Sequence, residues 1–139
     1  MSKPKRTRIA SQPQSAQPTP ADPATLPARY ILITQGACLE PDIPSGSKVL
    51  IERDGEIGAG DLAVLYFKPE HVQPGRSNSI LKRVVLPPPA HVKFPWREHP
   101  ETEAHAVVIV ETTNPPRELI FKCKDLLAIH KCGGLVPLA

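Results

Sequence analysis

Gly-Ala-Cys-Leu-Glu-Pro-Asp-Ile-Pro-Ser-Gly, residues 36–46, is the stretch from which the fold of this chain can be worked out. It follows the apolar run Tyr30–Ile33 and precedes a second apolar run, Val49–Ile51. Glycines, prolines and an aspartate between two such runs are typical of a tight turn and argue against a helix. We therefore expect Cys38 to lie where a strand breaks into a turn, a position from which a side chain can face a cleft.

Short strand patterns separated by turn residues fill the rest of the chain. We predict strands at Tyr30–Thr34, Lys48–Arg53, Asp61–Phe67, Ser79–Leu86, Ala106–Thr112, Leu119–Lys122 and Ala128–Cys132, the last of them closed by Gly133-Gly134. The link Asp54–Gly60 is rich in glycine and indicates a hairpin between the second and third strands. The 18 prolines argue against long helices. The predicted fold is mainly β, a compact, twisted and partly closed sheet.

Composition divides the chain into an arm and one domain. Residues 1–28 are rich in proline, glutamine, serine and alanine and cannot bury an apolar face, so we predict a disordered, basic, proline-rich arm. Residues 29–139 form the predicted β domain. A hydrophobic content of 40% is enough for a core, and an aromatic content of only 4% makes that core mostly aliphatic.

Basic residues are concentrated at the start of the arm. Four of the 17 lysines and arginines fall in the first eight positions, namely Lys3, Lys5, Arg6 and Arg8. The predicted domain is therefore close to neutral, which argues against a nucleic-acid-binding body. The arm itself could contact DNA or an acidic surface, or it could be a solvated basic tail.

The cysteines and histidines do not suggest a metal or a cofactor. The three cysteines, Cys38, Cys123 and Cys132, include no Cys-x-x-Cys pair, and the five histidines have no metal spacing and are predicted to be surface residues. We expect a reducing, cytoplasmic setting without disulfides. No apolar run approaches the roughly 20 residues of a membrane span. The basic N-terminus has no apolar stretch of the kind found in signal peptides.

A cysteine on a turn and a lysine inside a strand are a possible nucleophile and base. The lysine is Lys82, within the apolar run Ile80–Val85. The order of motifs is glycine, nucleophile and proline in one turn, then Gly60-Asp61 before a strand, then Lys82-Arg83 within a strand. This order resembles the peptidase domain of the LexA/UmuD-type and signal-peptidase superfamily, whose members use a serine and a lysine. The resemblance covers roughly residues 30–134.

The resemblance implies a role for each matching residue. Cys38 occupies the position of the nucleophile and Lys82 that of the base, which burial would hold neutral. The backbone of the turn around the nucleophile would supply an oxyanion hole, and the turn positions are Gly36, Ala37, Leu39 and Pro41. The implied reaction is hydrolysis of a peptide bond, in the chain's own arm or in a protein or peptide partner. A homodimer is also implied, since relatives commonly dimerise through this domain.

The chain departs from the family pattern in two respects. Cys38 replaces the usual serine, and Ala37 replaces the usual aspartate. A thiol beside an ammonium group can ionise without a separate base, so a Cys38–Lys82 pair would work differently from serine and lysine. Moreover, no glycine precedes Gly36, so the usual self-cleavage bond is missing from the arm. The alternative is a catalytically degenerate peptidase fold that acts as a protein-binding or dimerisation module, with a peptide added to a sheet edge.

Overall fold

The structure is a computed structural model that describes residues 22–36, 39–90, 92–94 and 106–136. Four groups of predictions lie outside these residues. They concern most of the arm, the basic residues Lys3, Lys5, Arg6 and Arg8 within it, the turn residues Ala37 and Cys38, and the histidines His91, His99 and His105. None of the described residues belongs to a helix that is long and apolar enough to cross a membrane.

A single antiparallel sheet contains all the strands described. In chain order these are β1 (Arg29–Ile33), β2 (Lys48–Glu52), β3 (Leu62–Phe67), β4 (Ser79–Leu86), β5 (Val107–Thr113), β6 (Pro116–Lys122) and β7 (Leu126–Leu135). Their order across the sheet is β1-β2-β7-β3-β4-β5-β6. The prediction of a mainly-β domain is confirmed. The sheet is not closed, because β1 and β6 are its two end strands and are not paired with each other.

The predicted hairpin between β2 and β3 is wrong. Strand β7 lies between them, so that Cys132 is opposite Ile51 of β2 and also opposite Leu62 of β3. The glycine-rich link after β2 therefore crosses from β2 to β3 over the position between them, and β7 occupies that position. Strand β7 also runs through Gly133-Gly134, with a register shift at Leu50/Ile51 of β2, instead of ending before the glycines.

Each face of the sheet carries a hydrophobic cluster. The first cluster lies towards β1, β2, β3 and β7, and its buried members are Leu39, Ile43, Val49, Ile51, Val64, Tyr66 and Cys132. The second lies on the other face, towards β3, β4, β5 and β6, and contains Ala63, Leu65, Val84, Val108, Val110 and Leu126. Successive side chains of a strand point to opposite faces, which is why β3 contributes to both clusters. The aliphatic core expected from the composition is present, and within the described part of the chain Tyr66 is its one buried aromatic side chain.

The described residues that precede β1 are packed against the sheet. A short 3-10 turn spans Pro23–Thr25, with the N–H of Ala24 donating to the Asp22 side chain at 3.0 Å. Leu26 packs against the first cluster, and its carbonyl accepts a hydrogen bond from Arg53 at 2.8 Å. Contacts with the sheet therefore begin several residues before β1.

Candidate functional site

The turn between β1 and β2 is anchored in the core by two apolar side chains. Leu39 is 4% exposed and Ile43 is 6% exposed, and both belong to the first cluster. The N–H of Ile43 donates to the carbonyl of Leu39 at 2.9 Å, which closes one loop of the turn. Burial of these two side chains fixes the position of residues 39–43, because apolar surface removed from water stabilises the packed arrangement.

Polar groups hold the remainder of the turn. Gly36 has a φ of 90°, a left-handed conformation that favours glycine, and its N–H donates to Oγ of Ser45 at 3.0 Å. The carboxylate of Glu40 in turn accepts the N–H of Ser45 at 3.2 Å. Thr34 bonds across the base of the turn through its N–H, which donates to the Ser47 carbonyl at 2.9 Å. The prediction of turn structure is therefore confirmed for the described residues of this segment, and Glu40 and Ser45 hold the turn by hydrogen bonds that the sequence pattern did not identify.

Arg83 connects this turn with β4. Its guanidinium lies 3.6 Å from the carboxylate of Asp42 and donates a hydrogen bond of 2.9 Å to the carbonyl of Gly60. Asp61, next to Gly60, accepts the N–H of Gly58 at 2.9 Å and thereby holds its own turn. The segment 39–46 is thus brought against β4 at the position next to Lys82.

Lys82 lies on β4, as the sequence predicts, and its side chain is half-buried. Its partner across the β3–β4 pair is Ala63, a member of the second cluster. Its strand neighbour Leu81 packs against the first cluster instead. Because successive side chains alternate between faces, Lys82 leaves β4 on the face opposite Arg83 and the turn.

In the described ranges of the chain, the first half of β4 is unpaired on the side that faces β5. The pairing of β4 with β5 begins at Arg83, which is opposite Glu111, whereas the pairing of β4 with β3 begins at Ser79. Among the residues that the structure describes, Ser79–Lys82 therefore has a strand neighbour on one side only. The thiol of Cys38 lies outside the described residues, and the structure gives its flanking anchors, Gly36 and Leu39, together with the position of Lys82.

The two other cysteines are buried and form no disulfide. Burial raises the pKa of the Cys123 thiol to about 11. Burial also raises the pKa of Cys132, against an opposing effect of a backbone hydrogen bond at Gly134. Since the thiolate is the nucleophile, both are poor nucleophiles at neutral pH.

A buried polar network links three strands within the first cluster. The hydroxyl of Tyr30 lies 2.7 Å from the hydroxyl of Tyr66 and 2.7 Å from Nδ1 of His130. Burial, aided by the positive charge of Arg53 and opposed by Asp54, lowers the pKa of His130 to about 4. Burial and the hydrogen bond with Tyr66 raise the pKa of Tyr30 above its usual range.

The surface position predicted for the histidines is wrong for His130, which is 3% exposed. The signal was the continuous apolar run Leu126–Ile129 directly before it, which is typical of a strand that is buried on both faces. His71 does lie at the surface, with Nε2 3.3 Å from the carboxylate of Asp125. The described residues contain no group of three histidine, cysteine or acidic side chains arranged to hold a metal ion.

Comparisons of the chain with known proteins gave no further assignment. No family model, no curated protein and no solved structure matches it. Statements about function therefore rest on the motif order in the sequence and on the geometry described above.

Proposed function

We propose that this chain is a peptidase-like domain in which Cys38 is the nucleophile and Lys82 its charge partner or base. The observation that supports the proposal is the Asp42–Arg83 ion pair, because it holds the turn that contains position 38 against the strand that carries Lys82, although the Lys82 side chain leaves that strand on the opposite face. The buried anchor Leu39, the neighbour of Cys38, restricts the turn further. A nucleophile needs this kind of fixed support, since catalysis depends on orientation.

The proposed reaction is hydrolysis of a peptide bond. The thiolate of Cys38 attacks the carbonyl carbon, and N–H groups of the turn backbone at Ala37 and Leu39 are proposed to donate to the oxygen that becomes negative, since the N–H of Gly36 already donates to Ser45. The amine product leaves with a proton from the Lys82 ammonium group, and a thioester remains on Cys38. Water then attacks the thioester, the neutral amine of Lys82 takes up the proton, and the acid product and the thiolate are released.

The proposed substrate is a protein or peptide, either the chain's own arm or a partner. The proposed setting is cytoplasmic and reducing, with the free state of the buried thiols of Cys123 and Cys132 in support. A homodimer is also proposed. DNA contact by the basic arm remains a weaker proposal, and its test is binding that weakens with salt and is lost when residues 1–8 are deleted.

A second candidate function is a degenerate peptidase fold that binds a protein or peptide without cutting it. The position of Lys82 favours this candidate, because the side chain leaves β4 on the face opposite the turn. The stretch Ser79–Lys82, with a neighbour on one side only among the described residues, offers backbone groups for strand addition. The two candidates make opposite predictions for the thiol of Cys38.

The rate of alkylation of Cys38 as a function of pH tests the proposal. In the unaltered chain, we expect a midpoint well below the ordinary thiol value of about 8.5, because a nearby ammonium group favours the thiolate. Lys82→Ala should restore the ordinary midpoint, whereas Lys82→Arg, which keeps the charge, should retain most of the shift. Cys38→Ala supplies the background rate of the two buried thiols.

Two further outcomes separate the candidates. An ordinary midpoint in the unaltered chain, unchanged by Lys82→Ala, would overturn the peptidase proposal and leave the binding module. If the midpoint is low, mass spectrometry of the purified chain should be used to look for products cleaved from the arm, with Cys38→Ala as the control. Products that form equally in the control would point to a contaminating protease.

A further inference from the structure

Strand β6 forms one end of the sheet and exposes an apolar side chain between two charged ones. Ile120 is 65% exposed, and its neighbours on the same face, Glu118 and Lys122, are also exposed. Among the residues that the structure describes, β6 has a strand neighbour on the β5 side alone. Backbone groups at such an edge are free to pair with another strand.

The backbone groups that point outwards from β6 can be identified from its pairing with β5. The N–H of Cys123, directly after β6, donates to the carbonyl of Ala106 at 2.9 Å, so residue 123 bonds towards β5. Along an antiparallel strand the direction of the backbone bonds alternates from residue to residue. Glu118, Ile120 and Lys122 therefore direct their N–H and carbonyl groups towards the open side.

The sequence of this edge is self-complementary in charge. It reads Glu118-Leu119-Ile120-Phe121-Lys122, with opposite charges at equal distances from the central isoleucine. A second copy that approaches antiparallel about a two-fold axis at Ile120 places its Lys122 opposite Glu118, and its Glu118 opposite Lys122. Each of these residue pairs points outwards, so each can exchange both N–H···O hydrogen bonds.

We propose that two copies of this chain associate through β6, pairing antiparallel about Ile120 to give one continuous sheet. The edge is occupied by a second copy. In this register Glu118 and Lys122, the charged residues on the same face of β6 as Ile120, each lie opposite a residue of the other charge. The same register puts the two Ile120 side chains next to each other and shields part of their exposed surface. This inference does not depend on any reaction at Cys38.

The other end of the sheet does not offer the same match. An antiparallel pair of β1 strands centred on Ile31 would place Arg29 opposite Ile33, with no opposite charge to meet it. Arg29 is in any case paired with Glu52 of its own chain at 3.3 Å. Antiparallel self-pairing therefore places opposite charges opposite each other at β6 but not at β1.

An apolar row continues from Ile120 across the sheet. Ile109 of β5 is opposite Ile120, and Leu86 of β4, which is 48% exposed, is opposite Ile109. In the paired sheets this row would extend across both copies. Edge pairing of one short strand buries less surface than the roughly 1,600 Å² of a standard interface, so the dimer should be weak and depend on concentration.

Charge exchange at Glu118 and Lys122 tests the proposal. Both side chains are exposed, so Glu118→Lys and Lys122→Glu should each leave folding intact, as the thermal midpoint can check. Each variant alone sets two pairs of like charges opposite each other and should be monomeric by sedimentation velocity at concentrations where the unaltered chain dimerises. A mixture of the two variants should form a heterodimer, because every pair is then opposite in charge. The double variant should dimerise like the unaltered chain.

Disulfide trapping supplies a second measurement. In a Cys38→Ala background, Ile120→Cys should form an intermolecular disulfide much faster than Ile31→Cys on the other edge, because paired residues have Cα atoms about 5.5 Å apart. The proposal is overturned if the unaltered chain stays monomeric at all concentrations tested. It is also overturned if a dimer persists in both single variants, or if the mixture does not associate. The alkylation profile of Cys38 is a separate readout, so failure here is distinguishable from failure of the peptidase proposal.

Discussion

The hydroxyl of Tyr30 lies 2.7 Å from Nδ1 of His130, a residue 100 positions further along the chain. Tyr30 is on β1 and His130 is on β7, so the contact passes over β2, which separates the two strands in the sheet. The hydroxyl of Tyr66 on β3 extends the network to a third strand. The end strand β1 is thereby tied to the centre of the sheet by side chains as well as by its backbone.

The buried imidazole makes stability depend on pH in a defined window. The pKa of His130 is about 4 in the folded chain, against about 6.5 in an unfolded one. Between these values the unfolded chain binds more protons, so the free energy of unfolding falls as the pH falls from 6.5 towards 4. Across the whole window, the free energy of unfolding should fall by roughly 3 kcal/mol because of this one group. Urea unfolding at a series of pH values measures the slope.

The matched variant for this prediction is His130→Gln, which removes the titration and retains hydrogen-bonding groups. It should be less stable at pH 7 but show a flatter dependence across the window. Carboxylates that also titrate near pH 4 remain in both proteins, so the difference between the two slopes is the quantity to compare. Equal slopes would mean that His130 is not buried as a neutral ring.

Truncation of the turn anchor should weaken the fold. Leu39→Ala removes a side chain that is 4% exposed, and such changes cost about 2–5 kcal/mol of the free energy of unfolding. Leu135→Ala is the control, since Leu135 is 51% exposed and its loss should cost about 0.5 kcal/mol or less. Urea unfolding compares the two. Equal effects would show that the turn is not packed into the core.

Arg83 should stabilise the fold more through its hydrogen bond to Gly60 than through its exposed ion pair with the turn residue Asp42. Asp42→Asn leaves the turn in place and should cost about 0.2–1 kcal/mol, since the side chain of Asp42 is 63% exposed. Arg83→Gln also loses the bond to the Gly60 carbonyl and should cost more, by about 1 kcal/mol. A double-mutant cycle measured by urea unfolding isolates the pair. Additive effects would argue against a contact between Asp42 and Arg83 in solution.

The two buried cysteines should be protected from reagents in the folded chain. Because burial raises the pKa of both thiols, Cys123 and Cys132 should react slowly with a thiol reagent at pH 8. In Cys38→Ala, modification should follow unfolding and become complete only in denaturant. Fast modification of the folded variant, located by peptide mapping, would show that one of these positions opens locally.

Local sequence patterns were sufficient to locate the strands but not to predict which strands pair with each other. Short apolar or alternating runs between turn residues mark the strands, and the turn at Gly36–Gly46 is evident from its composition. The position of β7 could not be predicted, because it depends on pairs such as Ile51 with Cys132, which are far apart in sequence. The three additional residues at the start of β6 include Pro116, which a strand tolerates at its first position and at a sheet edge.

In the candidate site, too, local sequence predicted the elements but not the contacts between them. The sequence pattern identified the turn and placed Lys82 on a strand, since both follow from local residue types. It could not identify Arg83 as the partner of Asp42, because that contact depends on how the turn folds back over β4. It also missed the buried position of His130, because histidine generally prefers partly exposed positions and the central place of β7 depends on long-range pairing.

The central place of β7 has a consequence for how the protein is made. A ribosome synthesises β1–β6 first, as two groups of strands, β1–β2 and β3–β6, that have no direct pairing with each other. Until residues 126–135 emerge, each group presents to the cell an unfinished edge that β7 will later occupy. A nascent chain stalled before Leu126 would therefore be a target for chaperones or for aggregation, and completion of the sheet would be a late event in synthesis.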